Sequence, residues 1–243
     1  MFLSRYLLRI SKFLCVMTSW NLMKVFFFRG VLIGAEHRDV IDSGLAMVVD
    51  IGANRGQFAL AVRRWAPQAA LVSFEPLPRP ARVFRSLFTA DSTRVVLHEV
   101  AIGPNSQQCE MHLSARDDSS SLLPISELQE NIFPGTSEVS TLSVRMGPLE
   151  NFIKKEDVRA PALLKLDVQG FEYEALRGCE SLLPLFGQVY CECSFLELYS
   201  GQKLAADVID WLASRGFRLS GIYNSSYDSF GRAVQADFLF QRG

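Results

Sequence analysis

Several common patterns are missing from this sequence of 243 residues, and each absence narrows the possible functions. The formal net charge is −1, so the chain lacks the basic excess of a nucleic-acid-binding protein, and we predict no nucleic-acid partner. The five cysteines form no Cys-x-x-Cys motif and no Cys/His zinc spacing. We therefore predict no metal site and interpret the cysteines as buried free thiols of a cytoplasmic protein.

Glycine-rich phosphate-binding motifs are also absent. The dinucleotide fingerprint Gly-x-Gly-x-x-Gly would need glycines at 52, 54 and 57, but the chain has Asn54 and Gln57. Because the second glycine admits a pyrophosphate and the third lets the helix pack on the strand, this departure disfavours NAD and FAD. No Gly-x-x-x-x-Gly-Lys-Ser/Thr loop is present either. An NAD-type oxidoreductase on a related fold is therefore kept only as an alternative.

The amino-terminal segment lacks an unbroken apolar run of membrane-spanning length. Residues 2–28 are strongly apolar, but Asn21 and Lys24 interrupt them before about 20 apolar residues accumulate, so we expect no spanning helix. We also see no cleavage site of the signal-peptide kind. Residues 1–40 are predicted to be a helical extension, either packed on the core or lying on a membrane through residues 1–30. The membrane interpretation depends on a basic stripe formed by Arg5, Arg9 and Lys12.

A strand that ends in an acid and a glycine turn is the most informative feature that is present. Residues 46–51 form an apolar run containing Asp50, the turn spans 52–56, and a helical pattern follows over 57–65. A second acid, Glu75, closes the next apolar run. Acids at two consecutive strand ends predict a site for a ribose and a charged tail, at the carboxyl edge of a parallel sheet.

Strands and helices alternate along most of the chain, which predicts a single α/β sheet. The stretch 105–148 differs, because polar and apolar residues alternate there around a loop, and we predict an insertion with an antiparallel pair. Residues 41–243 are assigned to one domain that contains this insertion. The predicted main strands are 46–51, 71–74, 94–102, 163–167, 188–194, 217–223 and 236–241, of which the last two form an antiparallel pair.

The charges around the glycine turn suit S-adenosylmethionine, whose methionine tail carries an ammonium and a carboxylate. Asp50 can hold the ammonium directly or through water, and amides of the 52–56 turn and the helix start can meet the carboxylate. Glu75 can accept hydrogen bonds from both ribose hydroxyls, and Ala101 lies where an adenine edge would be read. Asn54 is expected to adopt a left-handed or bridge conformation, which asparagine tolerates.

Four motifs follow one another along the chain: Asp50–Gly56, Phe74–Pro76, Val100–Gly103 and Lys165–Glu172. Their order and spacing resemble the FkbM family of S-adenosylmethionine-dependent methyltransferases. The resemblance implies a Rossmann-like class I methyltransferase sheet of seven strands in the order 3-2-1-4-5-7-6. It also implies O-methylation of a hydroxyl on a sugar, glycolipid, polysaccharide or polyketide-type acceptor. The implied cofactor-binding residues are Asp50, Gly52, Ala53, Asn54, Gly56, Glu75, Pro76 and Ala101.

The acid at the end of the central strand is the leading catalytic candidate. Asp167 faces the same crevice as the cofactor strand, and we predict it to be the general base for the acceptor hydroxyl. Glu192 interrupts an apolar strand and is the second candidate, and His98 and His112 are further ones. Asp167 and Glu192 could instead chelate a cation, although oxygen-only sites usually need more ligands.

Three other residues or segments near these motifs have open interpretations. The family's Asp-Val-Glu-Gly motif is Asp-Val-Gln-Gly here, with Gln169, which keeps a non-catalytic cofactor-binding or membrane-associated module as an alternative. The loop 117–121 holds two aspartates and three serines, typical of a solvated turn. Alternatively, this loop closes over the cofactor or acceptor as a lid. Arg55, in the glycine turn, is expected to face solvent.

Overall fold

The structure, a computed structural model, describes residues 20–91 and 93–243. Its centre is a seven-stranded sheet in which five neighbouring strands are parallel, the sixth is antiparallel to the fifth, and the seventh is antiparallel to the sixth. The predicted α/β fold with a mostly parallel seven-stranded sheet is confirmed. In spatial order the strands are β3 (Val95–His98), β2 (Ala70–Phe74), β1 (Met47–Ile51), β7 (Ala162–Leu166), β8 (Gln188–Ser194), β10 (Ala233–Arg242) and β9 (Phe217–Tyr227).

A smaller three-stranded sheet is formed by the part of the chain between β3 and β7. It consists of β4 (Ala101–Ile102), β6 (Glu138–Gly147) and β5 (Gln107–Ser114), in that spatial order. Strands β5 and β6 are antiparallel, as predicted for the insertion. In whole-chain numbering the main sheet is 3-2-1-7-8-10-9, which differs from the predicted 3-2-1-4-5-7-6 because β4 to β6 belong to the second sheet. Renumbering the main strands alone from 1 to 7 gives 3-2-1-4-5-7-6.

The predicted third strand, 94–102, was wrong as a single element. The chain forms β3 in the main sheet, leaves it at Glu99, and continues as β4 in the second sheet. The reason is pairing: β3 lies in parallel beside β2, whereas β4 pairs with β6. A continuous apolar pattern cannot show that its two ends have different partners.

Helices cover both faces of the main sheet because successive residues of a strand point to opposite sides. Met47, Val49 and Ile51 belong to one apolar cluster, and Val48 belongs to the cluster on the other face. The helices are α1 (Trp20–Arg29), α2 (Gln57–Trp65), α3 (Pro78–Leu87), α4 (Glu127–Ile132), α5 (Glu172–Gly178) and α6 (Ala205–Ala213). Helices α5 and α6 contribute to the first cluster, and α2 and α3 contribute to the second. The cysteines of the described residues are free, and Cys179, Cys191 and Cys193 are buried, as predicted.

Helix α1 is the described part of the amino-terminal extension. Met23, Val25 and Phe26 pack against the second apolar cluster, which agrees with a helix packed on the core. Phe27 and Phe28 instead are 69% and 81% exposed. Residues 1–19, and with them the basic stripe, lie outside the described residues. Within the described part of the chain, every helix is too short or too polar to cross a membrane.

Candidate active site

A cavity of about 330 Å³ opens at the carboxyl ends of β1, β2 and β7. Most of the predicted site residues line it: Gly52, Ala53, Asn54, Glu75, Pro76, Ala101 and Asp167. Asp50 and Gly56 lie behind the wall and do not line it. Glu192 lines a second cavity next to the first, and Asp167 lines both. The structure therefore brings together, at one edge of the sheet, motifs that are more than 100 residues apart.

The glycine turn passes very close to the strand beside it. Gly52 has φ +80°, and a Cβ added there would lie 1.8 Å from the backbone oxygen of Asp167. Asn54 has φ +46°, the left-handed conformation that was expected. Gly56 has φ +96°, and a Cβ there would contact Phe84 at 3.1 Å. The turn thus needs glycine at 52 for space and for backbone conformation.

Fewer turn amides are available to a ligand than the sequence suggested. The amides of Gly52 and Ala53 both donate to the Phe74 carbonyl at 3.0 Å, and the Asn54 amide donates to Glu75 at 2.8 Å. Helix α2, which follows, begins at Gln57, and its N-cap residue Gly56 provides no side-chain cap. The first amides of a helix have no partner within it, so the start of α2 is the part of this segment suited to an anion.

Asp50 and Lys165 form a buried ion pair that the sequence analysis did not foresee. The two residues are directly opposite each other in the β1–β7 register, and Lys165 Nζ lies 3.1 Å from Asp50 Oδ1. The same Nζ donates to the Gly52 carbonyl at 3.1 Å and lies 3.6 Å from Asp167 Oδ2. Asp50 Oδ2 has no hydrogen-bond partner among the described residues.

Burial disfavours the charged form of both Asp50 and Lys165, and their mutual attraction acts against this effect. Burial raises the pKa of Asp50, and the charge of Lys165 only partly offsets that effect. Burial alone would lower the pKa of Lys165, but the carboxylates of Asp50 and Asp167 raise it above its ordinary value. Lys165, which lines the cavity, therefore places a positive charge in the wall beside the glycine turn.

Glu75 is a buried carboxyl that anchors the turn after β2. Its Oε2 accepts from the Asn54 amide and its Oε1 accepts from the Leu77 amide, both at 2.8 Å. Burial raises the pKa of Glu75 to about 7, although these two amides act in the opposite direction. Each carboxylate oxygen has a second lone pair, so Glu75 can still accept from a ligand hydroxyl in the cavity.

Gln169 connects the two predicted catalytic acids. Its Nε2 donates to Asp167 Oδ1 at 2.7 Å and to Glu192 Oε2 at 2.9 Å, and its Oε1 lies 2.9 Å from the hydroxyl of Tyr199. Gln235 donates to the other oxygen of Glu192 at 2.7 Å. Burial, followed by the charge of Asp167, raises the pKa of Glu192 well above its usual range.

The amide between the two acids also bears on the alternative of a bound cation. An Nε2 that donates to both carboxylates occupies the position between them where a cation would have to bind. Across the described ranges, 20–91 and 93–243, no group of three or more metal-ligating side chains is arranged around a common centre. The geometry therefore favours two acids held by an amide over chelation.

The polar loop lies against the first cavity and is firmly held. Asp117, Asp118 and Ser120 line the cavity, and Ser121 is fully buried. The backbone of Ser121 exchanges two hydrogen bonds with His112. These contacts hold residues 117–121, called the covering loop below, against the cavity.

Arg55 does not face solvent as predicted. Its guanidinium pairs with Asp117 at 2.5 Å, and both side chains are less than one-third exposed. The expectation was wrong because the partner is contributed by a loop 62 residues further along the chain. The pair ties the covering loop to the glycine turn.

Sequence reasoning also missed a hydrogen-bonded group in the wall shared by the two cavities. His37 lines both cavities, and its Nδ1 lies 3.0 Å from the hydroxyl of Tyr190. Tyr190 donates to Asp237 at 2.7 Å, and Asn224 also donates to Asp237 at 2.7 Å. Because a phenol has one proton, the Tyr190 oxygen accepts from His37 Nδ1, which fixes the histidine ring. Burial raises the pKa of Asp237 to about 6.

The two other histidines considered as bases lie outside both cavities. His98 stacks on Phe74 with ring centres 5.1 Å apart, and burial lowers its pKa. His112 lies 3.0 Å from Glu138 on the neighbouring strand. Neither lines the cavity that holds Asp167. Little in the sequence indicated that His37 would line a cavity, because it lies in a short polar stretch before β1 that resembles an ordinary loop.

Comparison with known proteins connects this geometry to a family. Residues 50–219 match the family model of the methyltransferase FkbM domain. This range holds the glycine turn and all the acids described above except Asp237. The chain belongs to the FkbM methyltransferase family. The resemblance predicted from the four motifs is therefore confirmed, and the protein is a methyltransferase rather than an oxidoreductase.

Two curated relatives and one solved structure illustrate the family. The 2-O-methyltransferase NoeI of Sinorhizobium fredii is 30% identical over 207 residues, which cover 80% of this chain and 79% of NoeI. Methyltransferase 1 of Beauveria bassiana is 26% identical, covering 56% of this chain and 59% of that protein. The crystal structure of methyltransferase FkbM from Methylobacillus flagellatus has a TM-score of 0.52 and 14% identity. That match covers 80% of this chain and 43% of the crystallised chain, so the likeness supports the fold alone.

Proposed function

We propose that this FkbM-family protein is an S-adenosylmethionine-dependent O-methyltransferase. Its acceptor is a hydroxyl of a sugar, glycolipid, polysaccharide or polyketide-type molecule, either free or linked to a glycan or lipid. The observation that carries the proposal is the position of Glu75. It is a buried carboxyl that lines the cavity at the end of β2, one strand from the glycine turn, where a ribose diol would be bound.

The residues in the cavity fit both ends of the cofactor. Glu75 would hold the ribose, and Ala101 and Pro76 line the wall where the adenine would lie. The buried positive charge of Lys165 and the start of α2 suit the methionine carboxylate. Asp50 would then act through Lys165, because it lies behind the wall and not in it. Gly52, Ala53, Asn54 and Gly56 shape the turn beneath the methionine.

The bound cofactor supplies a methyl group on a sulfonium, which is already a strong leaving group. The protein's part is to hold the acceptor oxygen in line, and such positioning contributes roughly 7–11 kcal/mol to lowering a barrier. Partial removal of the hydroxyl proton adds about 10²–10⁴ in rate. Asp167 is the proposed base, and Glu192, whose pKa is raised by burial, is the second candidate. Gln169 holds the two acids in fixed relative positions.

Transfer to oxygen is supported by the relative NoeI, which is named as a 2-O-methyltransferase. The covering loop adds support, because a loop pinned over a cavity excludes water from the reacting groups. The lid interpretation of 117–121 is part of this proposal, with the Arg55–Asp117 pair as its latch.

Calorimetric titration with adenosylhomocysteine tests the proposal. The wild-type protein should bind it, and Glu75→Gln should weaken binding because an amide replaces one acceptor oxygen with a donor. Glu150→Gln is the matched control, since Glu150 is exposed and lines neither cavity. Absence of binding by the wild-type protein, or equal binding by Glu75→Gln, would contradict the cofactor assignment.

We also propose that the amino-terminal extension makes peripheral contact with a membrane. Two adjacent aromatic side chains, Phe27 and Phe28, project from the end of α1 into solvent beside Arg29. Exposed aromatic rings next to a basic residue favour the headgroup region of a bilayer. Flotation with anionic vesicles should be reduced by Phe27→Ser with Phe28→Ser, but not by Phe230→Ser, which removes an exposed ring elsewhere. Equal flotation of both variants would contradict the proposal.

A further inference from the structure

A second, larger cavity adjoins the cofactor cavity and is not explained by cofactor binding. It has a volume of about 940 Å³ and shares Glu36, His37 and Asp167 with the first cavity. Its outer wall is the turn between β9 and β10, residues 228–231. A second substrate bound there would meet the cofactor at Asp167, where the two cavities join.

The side chains that line this cavity are hydrogen-bonding groups with an unusual balance of charge. They include five carboxyl groups, those of Glu36, Asp167, Glu192, Asp228 and Asp237. Serines and amides supply donors and acceptors between them, and neither a lysine nor an arginine is among the described residues that line it. Hydroxyl groups of a ligand can both donate to these carboxyls and accept from the serines and amides.

We propose that this cavity is the acceptor site and that it selects a polyhydroxylated acceptor carrying no negative charge close to the methylated hydroxyl. The inference rests on the proposed function and narrows it to a substrate class. A carboxylate or phosphate on the acceptor would lie among more carboxyls than basic groups, because Lys165 near Asp167 is already paired with Asp50 and Arg232 is already paired with Asp228. Like charges brought together in this way disfavour binding. An acceptor with only hydroxyls, or with an added ammonium group, meets no such repulsion.

The position of the cavity agrees with the positions of the proposed catalytic groups. Asp167 and Glu192 both lie in its wall, and Gln169 holds them 2.7 and 2.9 Å from its amide nitrogen. An acceptor hydroxyl in the cavity can therefore reach these acids without entering the space lined by Glu75. In the transfer step the acceptor oxygen forms a bond to the methyl carbon, the carbon–sulfur bond breaks, and the hydroxyl proton passes to a carboxylate.

The test compares three probes that differ in a single group: a methyl glucoside, the corresponding glucuronide, and the corresponding glucosaminide. Binding of each is measured by saturation-transfer NMR, with and without adenosylhomocysteine, on the full-length protein. We expect the glucuronide to bind roughly tenfold more weakly than the glucoside, a difference of about 1.4 kcal/mol. The glucosaminide should bind at least as well as the glucoside.

A lysine introduced into the wall should reverse the discrimination. In Ser226→Lys the glucuronide should gain affinity relative to the glucoside, whereas Ser181→Lys should leave the ratio unchanged, since Ser181 is exposed and lines neither cavity. Equal binding of glucoside and glucuronide by the wild-type protein, an unchanged ratio in Ser226→Lys, or no binding of any probe would overturn the assignment. Failure to bind adenosylhomocysteine would instead overturn the cofactor assignment, so the two failures are distinguishable.

Discussion

Replacing Gly52 by alanine tests whether the turn depends on its close approach to β7. The Cβ would lie 1.8 Å from the Asp167 carbonyl oxygen, a backbone atom that no rotamer change can move. The residue also has φ +80°, which costs an alanine about 1–2 kcal/mol. Forcing extra volume into a packed site adds about 1–3 kcal/mol. The sum predicts a loss of roughly 2–5 kcal/mol in the free energy of unfolding.

Gly201 provides a control with the same backbone conformation and none of the crowding. It has φ +82°, and a Cβ there would have no atom within 4 Å. Gly201→Ala should therefore lose only the conformational cost of about 1–2 kcal/mol, since the restriction of the unfolded chain is the same in both variants. The difference between the two variants, about 1–3 kcal/mol, isolates the steric contact.

The measurement is urea unfolding followed by far-ultraviolet circular dichroism. The two variants are compared provided that the dependence of their unfolding free energy on urea concentration, the m-value, is the same. Adenosylhomocysteine titration supplies a second readout, because a displaced turn should lose affinity in Gly52→Ala but not in Gly201→Ala. If both variants lost the same free energy of unfolding, the close approach would be relieved without cost and this reasoning would be refuted.

Three further predictions concern the charged groups around the site. For Glu75, a pKa of about 7 in the folded protein lies above its ordinary value of 4.5, so stability is fully present below pH 4.5 and is lost as the pH rises through 7. Glu75→Gln should remove this component, so urea midpoints of wild type and variant should converge or cross between pH 5 and pH 8; a constant difference would contradict it. Arg55→Ala with Asp117→Ala should give a coupling of about 0.2–1 kcal/mol in a double-mutant cycle but a clear increase in the dissociation rate of adenosylhomocysteine. The pair Arg177–Glu174, whose residues line neither cavity, is the control, and an equal rate change there would count against a latch. Tyr190→Phe should lower the free energy of unfolding by about 1–3 kcal/mol, because Asp237 loses a buried donor; an unchanged midpoint would show that Asn224 alone suffices.

The sequence predicted the first half of the site well because its signals are local. An apolar strand, an acid and a glycine turn are consecutive, and the helix over 57–65 has the same bounds in the structure. The left-handed conformation of Asn54 followed from the turn itself. The same locality explains the correct prediction of β8 over 188–194.

The parts that were missed all depend on pairing between distant segments. Arg55 was expected in solvent because charged side chains are usually solvated, yet Asp117 pairs with it from the loop of the insertion. Lys165 belongs to a family motif, but its role appears only when the β1–β7 register sets it opposite Asp50. His37 and Tyr190 are 153 residues apart, and no spacing rule connects them. Register and long-range side-chain contacts are properties of the folded sheet that local patterns do not record.

Apolar side chains and buried carboxyl groups occupy different parts of the fold. The two large clusters on the faces of the sheet are apolar, whereas the buried carboxyls gather at the carboxyl edge. Burial raises the pKa of Glu75 and Glu172 to about 7 and that of Asp237 to about 6, so each of these groups opposes folding when it is ionised. A buried ion pair such as Asp50–Lys165 likewise adds little net stability. Glu172 has a structural partner, since its Oε1 accepts from the amides of Val168 and Gly170, whereas Glu75 and Asp237 line the cavities and are the groups for which a ligand role is proposed.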